Sequence, residues 1–192
     1  MGDTVHNPGE VVDEQVNRDL LYKVMSGDVD AAPSSSSMRG ALLAIAGSSS
    51  RTKSGVDVGA AAKKLGVSRR TVQRWLTGNH KPTASTAKKI TTKARQAAST
   101  KRGRRATRRR RQEAPAPRKI QVTGSMGPEA GGAQYLRMRT AAVSLDPEDV
   151  EAMYDAWENG GEKGFQKWLN TKYDADYLEG FHFASVDDVT LE

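Results

Sequence analysis

The sequence predicts an α+β protein: an N-terminal all-α helix-turn-helix domain, a basic disordered linker and a small C-terminal α+β domain. Three observations lead there. Residues 58–77, VGAAAKKLGVSRRTVQRWLT, hold two short runs with apolar residues at helical spacing on either side of a glycine. Residues 101–111, KRGRRATRRRR, form a block of like charge that repels itself too strongly to collapse. Beyond residue 118 the composition turns acidic, and short alternating runs give way to aromatic residues three and four apart. The boundaries follow: residues 1–37 are an acidic leader and linker, partly flexible; 38–98 the helical domain; 99–118 an arginine-rich disordered arm; 119–192 an acidic α+β interaction domain.

Taken in order, the leader has one amphipathic stretch, residues 11–25, in which Val12, Val16, Leu20 and Val24 recur at helical spacing. Residues 31–37 are a Pro/Ser linker whose last serines can cap a helix bearing Met38, Leu42 and Ile45 on one face. Next, Gly47 with Arg51, Thr52, Lys53 and Ser54 has a passing likeness to a phosphate-binding loop. Thr52 stands where that loop needs its second glycine, and no strand precedes it, so nucleotide binding is not inferred there. In the helix-turn-helix, Ala62 is the small residue at the helix crossing, Gly66 takes the positive backbone angle of the turn, and Leu65, Val67, Val72 and Trp75 fill the inside. Residues 78–82 stop the chain. A further helix over 85–98 puts Ala87, Ile90 and Ala94 inward and Lys88, Lys89, Lys93 and Arg95 outward.

Ser68 is placed to cap the second helix of the motif, so Arg69, Arg70, Gln73 and Arg74 lie on its first turns, away from the Val72, Trp75 and Leu76 face. Arginine can grip a guanine edge with two hydrogen bonds and glutamine an adenine edge, which points to duplex DNA read in the major groove. A helical hairpin with a merely solvated basic face is the plainer reading. Charge segregation favours the first: residues 51–118 hold 21 basic and 2 acidic residues, against 3 and 7 before them and 6 and 14 after. Such a block attracts a polyanion more strongly than the net +7 suggests, and salt should weaken the binding steeply. Through Arg104, Arg105, Arg108, Arg109, Arg110 and Arg111 the arm is expected to follow the phosphate backbone or enter the minor groove, adding affinity more than sequence preference.

In the C-terminal part, residues 120–122 and 135–145 read as strands on either side of a glycine-rich loop at 124–132. The Leu136/Met138 and Val143/Leu145 pairs alternate in different phases, which predicts a bulge near Ala141. Asp146 caps a helix with Pro147 at its first position and acidic residues in its first turn. Val150, Met153, Tyr154 and Trp157 share one face of it, residues 159–161 close it, and a second helix presents Phe165, Trp168 and Leu169. These aromatic stripes read as core. Phe181, Phe183 and residues 186–191 return as terminal strands.

Several function classes drop out. The chain has no cysteine, hence no disulfide framework or thiolate metal site, which fits a reducing interior. His6, His80 and His182 are too scattered for a metal, and no cofactor is expected. No apolar run approaches the ~20 residues of a membrane span, so a cytoplasmic, nucleoid-associated protein is expected. An enzyme acting alone is not supported, because Asp146, Glu148, Asp149 and Glu151 sit where a helix start wants negative charge and no nucleophile pattern occurs.

The order of helix-turn-helix, arginine-rich arm, YLRMRTAAVSLDPEDVEAMYDAWENG and a phenylalanine-bearing acidic C-terminus resembles the Tpg-type telomere terminal proteins of linear actinobacterial chromosomes and plasmids, from about residue 39 to the end. The resemblance implies a protein that binds telomeric DNA, cooperates with a telomere-associated protein and a DNA polymerase, and ends covalently linked through a hydroxyl to the DNA 5′ end. Such a protein primer is consumed rather than turned over. It needs only an exposed hydroxyl with reach, because the polymerase supplies the metal ions. The family's acceptor is a mid-chain threonine, and the matching stretch here is a Gly/Ala/Gln run. Thr123, Ser125, Tyr135 and Thr140 surround the glycine-rich loop, and Tyr135, then Thr123, are the candidates. The alternative is a plasmid- or phage-encoded helix-turn-helix transcriptional regulator whose acidic domain makes a homodimer. In one version, strand 135–145 and the helices after it have ribbon-helix-helix order and dimerise by pairing strands.

Overall fold

The computed structural model describes residues 17–192 apart from Glu113, Gly131 and Gly132. Val12 and Val16, expected on the leader's amphipathic face, lie outside the described residues. The elements are α1 (Arg18–Ser26), α2 (Met38–Ala46), α3 (Val58–Leu65), α4 (Arg69–Leu76), α5 (Ala84–Ser99), α6 (Lys101–Arg111), β1 (Lys119–Ala130), β2 (Ala133–Gln134), β3 (Arg137–Ser144), α7 (Pro147–Asp176), β4 (Phe181–Phe183) and β5 (Asp188–Leu191). The fold is α+β, with helices first and then an antiparallel sheet backed by a long helix.

Each of the first six helices starts on a short polar side chain that accepts a first-turn N–H: Asn17, Ser37, Asp57, Ser68, Thr83 and Thr100. Such a cap satisfies a donor the helix itself cannot and stabilises it by about 1 kcal/mol. α2, MRGALLAIA, is buried from Gly40 to Ala46 and lies against α3 and α5. α1 buries Leu21, Tyr22 and Met25, whereas Leu20 and Val24 are only partly covered. The expected face is therefore one residue out of phase, since Leu20, Leu21 and Tyr22 are contiguous and the pattern alone admits either stripe. The Tyr22 hydroxyl donates to the Ala44 carbonyl at 2.8 Å, and its ring meets Trp157 of α7 at 6.3 Å. Within the segment expected to be a partly flexible leader, α1 together with Ala31 and Pro33 thus packs into the core, while Val29 is exposed.

The arginine-rich run corrects the expectation of a disordered arm: it is helix α6, wedged among α1, α5 and α7. Self-repulsion is overcome because carboxylates of α7 and carbonyls of α2, α5 and α7 receive its guanidinium groups, as detailed below. The corner between α5 and α6 is tight. A Cβ on Gly103 would lie 2.2 Å from the Gln96 carbonyl oxygen.

β1 is the central strand. β3 pairs along one side, from Lys119 opposite Ser144 to Met126 opposite Arg137; β5 and then β4 occupy the other side. The pairing with β3 is continuous, so the expected bulge near Ala141 is absent. Ala141 and Val143 face the core while Met138, in the opposite phase, faces solvent. The expected glycine-rich loop is likewise strand up to Ala130. Its glycines serve close approach rather than flexibility: a Cβ on Gly124 would sit 2.2 Å from the Ser185 carbonyl oxygen, and one on Gly127 would sit 2.0 Å from that of Tyr135. β2 continues the register of β3 on β1, and the gap between them falls opposite Pro128, which accepts from the Tyr135 N–H at 3.1 Å but has no N–H to return. Because β3 pairs within its own chain along β1, it is not the lone strand of a ribbon-helix-helix unit.

α7 opens on a capping box in which Asp146 and Asp149 exchange backbone N–H bonds, with Pro147 at its first position. The stop expected at 159–161 is a kink within one element, made by Gly161 at φ 63° and ψ −139°. Val150, Met153, Tyr154 and Trp157 are buried before the kink, and Phe165, Leu169 and Tyr173 after it. The second half lies on the sheet, where the buried Tyr173 hydroxyl donates toward the Ala141 and Ile120 carbonyls at 3.0 and 3.2 Å. Its pKa is pushed up by that burial, with Tyr177 nearby adding to the effect.

Candidate nucleic-acid interface

The α3–turn–α4 unit is built from local signals. Asp57 caps α3 by accepting from the Ala60 N–H at 2.8 Å. Gly66 ends it at φ 72°, with the N–H groups of Gly66 and Val67 both returning to the Ala62 carbonyl. This left-handed position is easy for glycine and strained for other residues. Ser68 then starts α4, accepting from the Thr71 N–H at 3.1 Å. Ala61, Ala62 and Leu65 of α3 and Val72 and Trp75 of α4 are buried, which fixes the rotation of α4 about its axis.

That rotation leaves Ser68, Arg69, Arg70, Gln73 and Arg74 exposed. Arg70, Gln73 and Arg74 form one stripe at i, i+3 and i+4. Arg69 leans back over the start of α3, where a Cβ on Gly59 would be 3.4 Å from its Nη2. The lysines near the turn act differently: Lys89 Nζ donates to the Leu65 carbonyl at 2.7 Å, holding α5 against the end of α3.

The six arginines expected on a DNA-gripping arm are divided by the fold. Arg104 is 6% exposed and donates to the Glu158 carbonyl at 3.1 Å and the Ala98 carbonyl at 3.0 Å. Arg108 bonds Glu151 at 2.6 Å, Asp155, and Glu158 at 3.5 Å, and lies over the Tyr154 ring. Burial lowers its pKa, but the bonds from Asp155 and Glu151 outweigh that and hold it above the ordinary guanidinium value. Arg110 reaches the Ile45 carbonyl at 3.2 Å, the Tyr22 hydroxyl at 3.2 Å and the Thr107 hydroxyl at 3.0 Å. Arg111 is partly buried against Gly27. Arg105 and Arg109 face outward, Arg105 also pairing with Glu158 at 2.7 Å. Sequence reasoning missed Glu158 altogether, the buried carboxylate at the centre of this network.

The two candidate hydroxyls are also separated. Tyr135 is 54% exposed on the outer part of the β1–β3 hairpin, whereas the Thr123 hydroxyl is paired with that of Thr140 at 2.8 Å across the solvent-facing side of the sheet. Among the described residues no group of His, Asp and Glu could hold a metal ion, and no helix is long and apolar enough to cross a membrane.

Fold and surface define a protein carrying a helix-turn-helix DNA-binding domain. The helix-turn-helix family model HTH_3 matches residues 50–92, which covers α3, α4, the loop before them and the first half of α5. No curated protein and no solved structure matches the chain.

Proposed function

We propose that the protein reads duplex DNA by seating α4 in the major groove, with Arg70, Gln73 and Arg74 at base edges and Ser68 and Arg69 at the flanking phosphates. The observation that carries this is the rotation of α4: burial of Val72 and Trp75 turns its whole polar stripe outward. Arg105 and Arg109, the two of the six arm arginines that face outward, add phosphate contacts. Footprinting a random-duplex selection tests it; failure to enrich any sequence, with equal binding by Arg70→Ala and Gln73→Ala, overturns it.

The task we infer on that DNA is the terminal-protein one: binding telomeric ends of a linear replicon beside a telomere-associated protein and a DNA polymerase, and priming synthesis. The Tyr135 hydroxyl attacks the α-phosphate of an incoming deoxynucleotide, a phosphodiester to tyrosine forms, pyrophosphate leaves and the phenolic proton passes to solvent. The exposure of Tyr135 on the hairpin supports this choice over Thr123, whose hydroxyl is engaged within the sheet. The test is incorporation of labelled deoxynucleotide with a cognate polymerase, the label surviving denaturation and vanishing in Tyr135→Phe.

The second reading, a transcriptional regulator that dimerises through its C-terminal domain, is favoured by β3. Among the described residues its outer edge has no partner strand, and Met138 beside that edge is 64% exposed. Protection of a symmetric internal operator by a dimer, with no covalent label from any polymerase, supports this reading instead.

A further inference from the structure

We propose that the protein has a second anion site, a pocket for the phosphate groups of a small phosphorylated ligand, where α2, α3, α5 and α6 meet. The cavity is about 370 Å³, with no residue of α4 in its lining. That is within the ~300–1,000 Å³ of small-molecule pockets. Lys64 from α3, Lys93 from α5 and Arg102 and Arg110 from α6 line it, and no carboxylate does.

Two of these cations have work inside the fold. Lys64 Nζ and Arg110 both donate to the Ile45 carbonyl, at the last turn of α2. One carbonyl explains one or two donors; it does not explain the rest. Among the described residues Lys93 and Arg102 make neither an ion pair nor a hydrogen bond, so their charges add only repulsion to the cluster. Lys64 registers it: burial lowers its pKa and Arg110 and Lys93 lower it further, with Asp57 opposing.

The first turn of α6 adds a third imbalance. It holds Lys101 and Arg102 and no acidic residue, at the end of the helix dipole that favours negative charge. The wall is also stiff, because Gly103 brings α6 within van der Waals contact of the Gln96 and Ala97 backbone. A ligand with two or more negative charges relieves all three imbalances at once. Tetrahedral phosphate oxygens can be shared between an ammonium on one wall and a guanidinium on the other. Ile45 and Ala97 offer the ligand's carbon skeleton an apolar floor. The cavity is half-open, with Lys64 and Arg102 exposed at its mouth, and its concave four-helix lining suits a small molecule better than the convex phosphate rail of a duplex.

The test uses the full chain and no DNA. Pyrophosphate, with inorganic phosphate for comparison and chloride at matched ionic strength as control, is titrated by calorimetry into wild type, Lys93→Gln, Arg102→Gln and Arg102→Lys. Saturable binding of pyrophosphate, tighter than inorganic phosphate, is expected, with each glutamine variant weakening it about tenfold or more and Arg102→Lys recovering part of the loss. Thermal melts confirm that the variants fold, since neither side chain is bonded in wild type. Absence of saturable binding beyond the chloride control, or equal binding by all variants, overturns the proposal. A duplex-DNA titration distinguishes the source: unchanged DNA affinity in the glutamine variants supports a separate site, and a loss of DNA affinity matching the pyrophosphate loss makes these cations part of a DNA track and overturns it.

Discussion

Replacing Arg108 with alanine separates two roles for the arginine run, a strut within the fold and a clamp on DNA. The Arg108 side chain is 13% exposed, while its partners Glu151 and Asp155 are 65% and 63% exposed. Ion pairs to such solvated carboxylates contribute at most about 1 kcal/mol each. Glu158 is 8% exposed, but Arg105 still bonds it at 2.7 Å, so removing Arg108 does not orphan that charge. The ~3–5 kcal/mol of breaking a fully buried pair therefore does not apply in full. Loss of the Tyr154 contact, with the guanidinium 5.8 Å from the ring centroid, adds about 0.5–1 kcal/mol. Together these give about 2–3 kcal/mol, or roughly 4–12 °C in Tm for a chain of this size. Chemical denaturation reads the stability, and fluorescence anisotropy across a salt series reads the DNA binding of the folded fraction. The strut role leaves the slope of log affinity against log salt unchanged. An unchanged Tm with a slope flatter by about 0.9, the signature of one lost phosphate contact, refutes the reasoning.

Three further outcomes are expected. Gly127→Ala should destabilise the hairpin by about 1–3 kcal/mol, because its Cβ would collide with the Tyr135 carbonyl oxygen, whereas Gly160→Ala, with open space around it in α7, should be neutral or stabilise by up to about 1 kcal/mol; thermal melts compare the two. Asp149 is pushed up by burial, but bonds from Lys172 and the Asp146 N–H outweigh this and hold its carboxyl below the ordinary 3.8. A depressed pKa contributes stability above the ordinary value that is lost as pH falls through the lowered one, so Asp149→Asn should be less stable than wild type at neutral pH and the gap should close in acid, as read by urea unfolding against pH. Arg70→Ala and Gln73→Ala should each cost about 1–3 kcal/mol on the preferred sequence and little on random duplex, measured by competition binding.

The parts of the fold legible in the sequence are those whose causes are local. Gly66 at the turn, Ser68 at the cap and the Val72/Trp75 stripe specify the α3–α4 unit within twenty residues, and Asp146, Pro147 and Asp149 specify the start of α7 the same way. The misread parts depend on what passes nearby. Gly124 and Gly127 suit a loop or a crowded strand equally well by composition, and only the crossing backbone of Ser185 and Tyr135 decides for the strand. For α6 a signal existed. Glu151, Asp155 and Glu158 recur at i, i+4 and i+7 on a helix whose other face is apolar, which is the spacing of Arg104, Arg108 and Arg111. Two stripes of opposite charge and equal period can neutralise each other by packing, and the acidic C-terminal half then serves the fold rather than only a partner.

That neutralisation changes what the positive charge can do on DNA. Six arginines tracking phosphates would give a salt slope near −5, at about −0.9 per contact; of those six only Arg105 and Arg109 face outward, so their share falls to about −2. On the proposed reading affinity then leans more on α4, and sequence preference should survive at salt concentrations where an arginine clamp would already have let go. The same geometry makes residues 101–111 unsuitable for truncation as a tail. α6 packs against α1, α5 and α7, with Arg104 bonded to carbonyls of both α5 and α7. Its removal would strip the buried Tyr22 hydroxyl of Thr107 and Arg110 and leave Glu158 buried without a partner, so loss of folding, not loss of a DNA contact, is the result to expect from that deletion.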